Sequence, residues 1–80
     1  MKETVWRAKF AEKLSEKMNE KGYSQSTLAN KAHLTQPDIS RYLSGQSTPN
    51  IRAVINLSYV LNCTMSELVD FGERIQPIIY

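Results

Sequence analysis

The sequence predicts an all-α fold, a compact five-helix bundle, from the spacing of its apolar residues, its helix-capping residues and its lack of strand patterns. Apolar side chains recur every three or four residues, which is the period of a helix with one buried face. Residues suited to begin or end a helix lie at the boundaries of these segments. Alternation of apolar and polar residues is absent, with residues 72–80 as the one candidate exception.

The size and composition of the chain restrict it to one domain. Its 80 residues are 41% hydrophobic and 22% charged, as in ordinary globular proteins. A chain of this size buries only about 60–65% of its unfolded surface, so neither a deep active-site cavity nor a second domain is expected. We expect a domain over residues 1–71 and an apolar tail over residues 72–80.

Several classes of function are disfavoured by what the composition lacks. A single Cys63 excludes an intramolecular disulfide framework, and with a single His33 it leaves no metal cluster, so no metal or cofactor is expected. No apolar run approaches the roughly 18 residues of a membrane helix, and the N-terminus has no signal-peptide pattern, which predicts a cytoplasmic protein without a membrane partner. The net charge of +2 permits a nucleic-acid partner but does not establish one.

The first helix is predicted over residues 5–21. Its lysines and glutamates stand three residues apart and indicate a solvated, self-paired face. Thr4 is the expected N-cap, and Gly22 suits the left-handed position after the last turn. The apolar stripe that this helix would bury consists of Trp6, Phe10, Leu14 and Met18.

Two short helices are predicted next, separated by a tight break. Ser24 suits the N-cap of a helix over residues 25–31, and Thr35 that of a helix over residues 36–44. Asp38, three residues after Thr35, completes a capping-box pattern and is more simply explained as a cap than as a base contact. Proline is tolerated in a first helical turn, so Pro37 does not argue against the third helix.

The fourth helix is predicted over residues 50–61, with Thr48 as N-cap and Pro49 as the first helical residue. Asn62 then suits a left-handed stop. The sequence from Thr64 to Glu67 is a full capping box and opens a fifth helix to residue 69 or 71. The residues predicted to face inward on the fourth helix are Ile51, Val54, Leu57, Val60 and Leu61.

Two short helices joined by a tight break describe a helix-turn-helix, whose second helix enters the DNA major groove while the first crosses the backbone. The outward residues near the start of the third helix are Gln36, Pro37, Ser40 and Arg41. Glutamine can pair bidentately with adenine and arginine with guanine. Polar residues on an exposed helix are often merely solvated, which is the alternative explanation for these side chains.

From about residue 10 to residue 68 the chain resembles the phage repressor/Cro DNA-binding domains of the xenobiotic-response-element family. This resemblance implies a five-helix, lambda-repressor-like fold and sequence-specific operator binding, usually as a dimer on a palindrome. The matching positions are spread over four helices: Gly22-Tyr23-Ser24-Gln25, Leu28-Ala29, Ile39-Ser40, Gly45, Pro49, the stretch from Leu57 to Leu61, and Cys63-Thr64 with Leu68.

Residue by residue, the resemblance implies that Gln36, Pro37 and Arg41 occupy base-reading positions. Gln25 matches the first residue of the second helix, which typically grips a phosphate and braces the residue at Gln36. The other implied phosphate contacts are Ser44, Gln46 and Asn50. Two departures limit the carry-over: His33 stands where the family usually has glycine, and Pro37-Asp38 reduces the capacity for base contacts.

The sequence favours a transcriptional regulator of bacterial or phage type that binds double-stranded DNA and is not an enzyme. The alternative is an antitoxin or protein-interaction module that uses the same fold to bind a toxin or another protein. An enzyme is disfavoured because the sequence shows neither paired carboxylates nor a phosphate-cradling loop. A homodimer is expected, with contacts through Leu68, Phe71, Ile75, Ile78, Ile79 and Tyr80.

Overall fold

A computed structural model describes residues 3–69 of the chain, with side chains over residues 6–69. Within this range lie five α-helices, which confirms the predicted all-α fold. None of them is long and apolar enough to cross a membrane. In chain order the helices are α1 (Glu3–Lys21), α2 (Gln25–Ala32), α3 (Gln36–Leu43), α4 (Ile51–Val60) and α5 (Met65–Val69).

The ends of α1 correct one prediction and confirm another. The helix already includes Glu3, so Thr4 lies inside its first turn and is not the N-cap, because a cap residue needs a non-helical backbone. At the other end Gly22 has a φ of +69°. Its N–H bonds the Asn19 carbonyl at 3.2 Å, and the Tyr23 N–H bonds the Met18 carbonyl at 3.1 Å, which satisfies the last turn as predicted.

The helices α2 and α3 begin at the predicted caps. The Thr27 N–H donates to the Ser24 hydroxyl at 3.1 Å. The α2 helix runs to Ala32, one residue further than predicted, and His33 follows with a φ of +57°. Thr35 caps α3 as predicted.

The start of α4 differs from the prediction. Asn50, not Thr48, is the N-cap, and its side-chain oxygen accepts the Ala53 N–H at 2.8 Å. The helix therefore begins at Ile51, and Pro49 lies before it. Ile51 was expected to face inward but is 65% exposed, because it occupies the first turn on the outer side of the helix.

The link to α5 matches the prediction. Asn62 has a φ of +54°, in the left-handed region that asparagine tolerates. The Thr64–Glu67 capping box is formed: the Thr64 N–H donates to Glu67 Oε2 at 2.7 Å, and the Glu67 N–H to Thr64 Oγ1 at 3.2 Å. The helix that follows is described over Met65–Val69.

The core lies where α1 meets α3 and α5 and where α2 meets α3 and α4. Trp6 stacks on Phe10 with ring centroids 5.5 Å apart, and Phe10 meets Tyr42 edge-on at 6.1 Å. Both α2 and α3 are thus packed from the inside, and their outer faces are left to solvent. The fully buried large side chains are Phe10, Leu14, Leu28, Ile39, Leu57, Leu61 and Leu68.

Candidate nucleic-acid interface

The outer face of α3 carries the residues that the sequence singled out for base contacts. Ile39 and Tyr42 turn toward the core, and this fixes the opposite side of the helix outward. The structure brings the predicted set together on that side, all exposed: Gln36, Pro37, Ser40 and Arg41. We refer to these four residues as the α3 face.

A hydrogen bond between two glutamines joins the first residues of α2 and α3. Gln36 Nε2 donates to Gln25 Oε1 at 2.6 Å, which confirms that Gln25 braces Gln36. The amide of Gln36 keeps its carbonyl oxygen and a second N–H, the pair of groups that adenine requires. The bond therefore orients Gln36 without consuming its capacity to read a base.

Arg41 is tied to the start of its own helix. Its Nη2 lies 2.5 Å from Asp38 Oδ1. The other carboxylate oxygen of Asp38, Oδ2, accepts the Thr35 N–H at 3.1 Å, and the Asp38 N–H donates to Thr35 Oγ1 at 3.2 Å. These hydrogen bonds with Thr35, followed by the Arg41 charge, lower the pKa of Asp38, which is ionised at neutral pH. The role of Asp38 as a cap is confirmed, and its bond to Arg41 was not foreseen.

The predicted phosphate contacts remain predictions. Gln25 stands at the first turn of α2, Ser44 and Gln46 are exposed just after α3, and Asn50 caps α4. The Ser44 hydroxyl and the Gln46 N–H both donate to the Arg41 carbonyl, at 3.1 and 2.9 Å. Asn50 uses its amide oxygen as a cap, which leaves its NH₂ group as the donor for a phosphate.

The turn between α2 and α3 is held from behind by α4. Asn56 Nδ2 donates to the Ala32 carbonyl, the end of α2, at 3.1 Å. The Leu34 N–H bonds the Ala29 carbonyl at 2.9 Å, so the turn keeps its backbone bonds although His33 replaces the usual glycine. Asn56 was missed by sequence reasoning, and its only signal is a polar residue between the apolar positions of α4.

Among the lysines of α1, Lys17 is an exception to the predicted solvated face. Pairs at 3.9 Å for Lys13–Glu16 and 3.8 Å for Lys17–Glu20 confirm the self-paired pattern. The Lys17 side chain, however, is only 18% exposed, and its Nζ donates to Glu67 Oε1 at 3.2 Å. Hydrogen bonding to Thr64 and Lys17 lowers the pKa of Glu67, and the bond to Glu67 raises the pKa of Lys17. This pair ties α1 to α5.

The predicted dimer contacts need one correction. Leu68 has no exposed surface, because it packs into the core, so it does not belong to a dimer surface. The other predicted contacts lie outside the described residues: Phe71, Ile75, Ile78, Ile79 and Tyr80.

An apolar stripe on α4 went unnoticed in the sequence. Its members are spaced four residues apart and are the large exposed apolar side chains among the described residues: Ile51 at 65%, Ile55 at 48% and Tyr59 at 87%. The spacing is visible in the sequence, but the inward residues of α4 follow a similar period. The two faces are separated only by packing.

The two residues most suited to chemistry lie on different elements. Cys63 is partly buried against the core, where burial raises the pKa of its thiol, and His33 lies in the turn after α2. Residues 3–69 hold no group of three or more His, Cys, Asp or Glu side chains that could bind a metal. Cys63 is therefore best described as part of the packing, as predicted.

A short helix packed from behind, with a second short helix presenting polar side chains from its first turn, defines a helix-turn-helix DNA-binding domain. The chain belongs to the helix-turn-helix family of XRE/Cro type, whose profile matches residues 14–68. This family binds DNA and is non-enzymatic. The class and the family that the sequence suggested are thus confirmed.

Solved structures share the lambda-repressor-like fold. The crystal structure of the restriction-modification controller protein C.AhdI from Aeromonas hydrophila matches with a TM-score of 0.80 and 26% identity, over 85% of this chain and 99% of that one. The solution structure of the SOS-response transcriptional repressor LexA from Eubacterium rectale matches with a TM-score of 0.78 and 19% identity, over 95% of this chain and 82% of that one. Among curated proteins, none gives a significant match.

Proposed function

We propose that the protein is a sequence-specific, repressor-like transcriptional regulator that reads the DNA major groove with α3. The observation that carries this proposal is the α3 face, with Gln36 braced by Gln25 at 2.6 Å. Side chains held in place before binding lose less conformational freedom on the DNA. The similarity to a controller protein supports a regulatory role.

In this mechanism phosphate contacts set the register and base contacts set the specificity. The amide of Gln25, the residues after α3 and the NH₂ group of Asn50 serve the backbone, while Gln36 and Arg41 serve the bases. The charge of the chain is distributed accordingly. Residues 1–62 carry nine Lys or Arg and five Asp or Glu, a net of +4, whereas residues 63–80 carry one and three, a net of −2.

A palindromic operator bound by a homodimer is the second part of the proposal. The α4 stripe supports a second copy as its partner, since its two isoleucines and one tyrosine are symmetric about Ile55 when two copies of α4 lie antiparallel. The one charged residue of α4, Arg52, stands beside Ile51 at one end of the stripe, so the two copies of Arg52 lie at opposite ends of the antiparallel pair. Three side chains offer less than the roughly 800 Å² per partner of a stable interface, so we expect a dimer that forms mainly on DNA.

Selection of bound duplexes from a random library tests the proposal. We expect a palindromic consensus, and the affinity for the selected duplex should fall steeply with salt because Lys and Arg displace counterions from phosphates. Absence of any enriched sequence would contradict sequence-specific binding.

The dimer is tested by sedimentation of the Ile55→Asp variant with full-site and half-site duplexes. The wild-type protein should bind the full site as two copies and the half-site as one. At a protein concentration that fills the half-site only in part, the variant should leave most full sites with one copy, because a charge at the centre of the stripe opposes the pairing and each half-site then fills independently. The matched control is Ser15→Asp, which adds the same charge at an exposed position of α1, outside both the α3 face and the stripe. If wild type and Ile55→Asp fill the full site with two copies equally well at that concentration, the stripe is excluded as the dimer surface.

A further inference from the structure

We propose that Asp38 is a positioning residue for specificity: it holds Arg41 in the orientation that reads a base and keeps it from neighbouring phosphates. This inference rests on the proposed function, since it needs a DNA site read by α3. It assigns a task to an acidic residue that, on charge alone, would oppose DNA binding.

The geometry divides the carboxylate of Asp38 between two tasks. Oδ2 accepts the Thr35 N–H, which anchors the carboxylate to the start of α3. Oδ1 points the other way and accepts from Arg41 Nη2. The anchor is a backbone N–H, which does not move independently of the helix. Asp38 therefore fixes the Arg41 guanidinium relative to α3 itself, which a mobile side chain could not do.

Arg41 keeps most of its bonding capacity in this arrangement. A guanidinium has five N–H donors, and the bond to Asp38 uses one of them. The remaining donors are enough for a bidentate contact to O6 and N7 of guanine. Arg41 is 48% exposed and Asp38 only 30%, so the cation stands further out and the carboxylate lies behind it.

The charge of Asp38 also limits the alternatives open to Arg41. A free arginine on an exposed helix can swing to any nearby phosphate, which adds affinity without sequence information. Pairing with Asp38 opposes that movement and cancels one positive charge on the α3 face. Removal of the Asp38 charge should therefore strengthen non-specific binding to DNA and weaken the discrimination between bases.

The experiment compares wild-type protein with Asp38→Asn. The asparagine oxygen can still accept the Thr35 N–H, so the cap is kept while the charge and the second carboxylate oxygen are lost. Glu16→Gln is the matched control, because it removes the same charge from an exposed residue beside Lys13 on α1, away from α3. Arg41→Ala and the double variant Asp38→Asn/Arg41→Ala complete a cycle.

Library selection with wild-type protein comes first, followed by affinities for the consensus duplex, its single-base variants and a random duplex. We expect Asp38→Asn to bind random DNA more tightly. Arg41→Ala identifies the base pair that Arg41 reads, because it abolishes the preference there. At that base pair the affinity ratio between the preferred base and the others should fall by about fivefold to tenfold in Asp38→Asn, which is part of what a bidentate contact supplies. In the Arg41→Ala background Asp38→Asn should cause no further loss there.

The outcomes separate the two proposals. No enriched sequence with wild-type protein would refute the proposed function itself. Enrichment together with unchanged or sharper discrimination in Asp38→Asn would refute only the role of Asp38, and would show that the carboxylate merely caps the helix or withholds Arg41 from DNA. A change equal to that of Glu16→Gln at every base pair would reduce the effect to net charge and refute it as well.

Discussion

Two capping boxes in this chain have the same local structure and different surroundings. At the start of α3, Thr35 and Asp38 exchange backbone and side-chain hydrogen bonds, and Thr64 and Glu67 do the same at the start of α5. In both, the remaining carboxylate oxygen is bonded by a cation. For Asp38 that cation is Arg41, one turn along the same helix, and for Glu67 it is Lys17, fifty residues away on α1.

The difference lies in what each cation is free to do. Lys17 is held between two helices and is mostly covered, so the second box connects distant parts of the chain. Arg41 is on an outer face and remains half exposed, so the first box leaves it available to a ligand. In both boxes the capping residues start a helix, while the partner of the acidic residue determines whether the box also joins two helices or leaves a cation exposed.

The largest expected effect is a difference in DNA affinity between variants of the two cations, Arg41 and Lys17. Arg41→Ala should weaken binding to the selected duplex by about 1–3 kcal/mol, with little change on random DNA or in unfolding free energy. Lys17→Met, which keeps an apolar stem, should leave base preference unchanged and slightly lower stability. Titrations with both duplexes and urea unfolding measure this. Equal losses for Arg41→Ala on selected and random DNA would make Arg41 a phosphate contact only.

The caps themselves should be equivalent. Thr35→Ala and Thr64→Ala each remove one cap acceptor and should each lower the free energy of unfolding by about 1 kcal/mol. Neither removes the bond between acid and cation, so base preference measured well below the melting temperature should persist in both. Urea unfolding and a repeat of the selection check this. A much larger loss for one threonine would show that the boxes differ in more than their cations.

A smaller difference in stability is expected at the residue with left-handed backbone that lies two positions before each capping box, His33 or Asn62. His33 has a φ of +57° and Asn62 of +54°, and asparagine tolerates this region better than histidine. His33→Gly should raise the free energy of unfolding by about 0.5–1 kcal/mol, while Asn62→Gly should change it less. Thermal unfolding of the two variants measures the difference. A loss of stability in His33→Gly would mean that its side chain makes a contribution that outweighs the backbone strain.

The smallest expected effect is a dependence on pH. The pKa values of Asp38 and Glu67 are both lowered in the fold, so their stabilisation is present above their ordinary values of 3.8 and 4.5 and is lost as the pH falls through the lowered values. Asp38→Asn and Glu67→Gln should each flatten the fall in urea midpoint between about pH 6 and about pH 3. Unaltered profiles in both variants would show that neither carboxylate is stabilised by its box.

Local signals explain what the sequence predicted well. The caps at Ser24, Thr35 and Thr64 and the left-handed stops at Gly22 and Asn62 depend on one residue and its near neighbours. A single sequence contains that information, and the structure confirms each of them. The start of α4 failed because two N-cap residues, Thr48 and Asn50, stand two positions apart. Only the packing of the helix selects the second.

Non-local contacts explain what the sequence did not predict. The bond from Asn56 to the end of α2 and the bond from Lys17 to Glu67 join segments far apart in the chain. Leu68 and Ile51 were both assigned to the wrong environment, since an apolar residue in a short helix suits either a core or a surface until its neighbours are known. In the site, the α3 face followed from helix periodicity, whereas the bond between Asp38 and Arg41 required side-chain rotamers.

The packing of α1 also determines the order in which the chain can fold during synthesis. The α1 helix precedes both of its packing partners, α3 and α5, in the chain, and its Lys17 bonds Glu67, fifty residues later. Translation of that interval takes roughly 3–10 s, far longer than a helix needs to form. During this time α2 and α3 can pair with each other and with α1, through Phe10 and Tyr42, while the contacts of α5 are still missing. The helix-turn-helix can therefore pack against α1 before α5 completes the core.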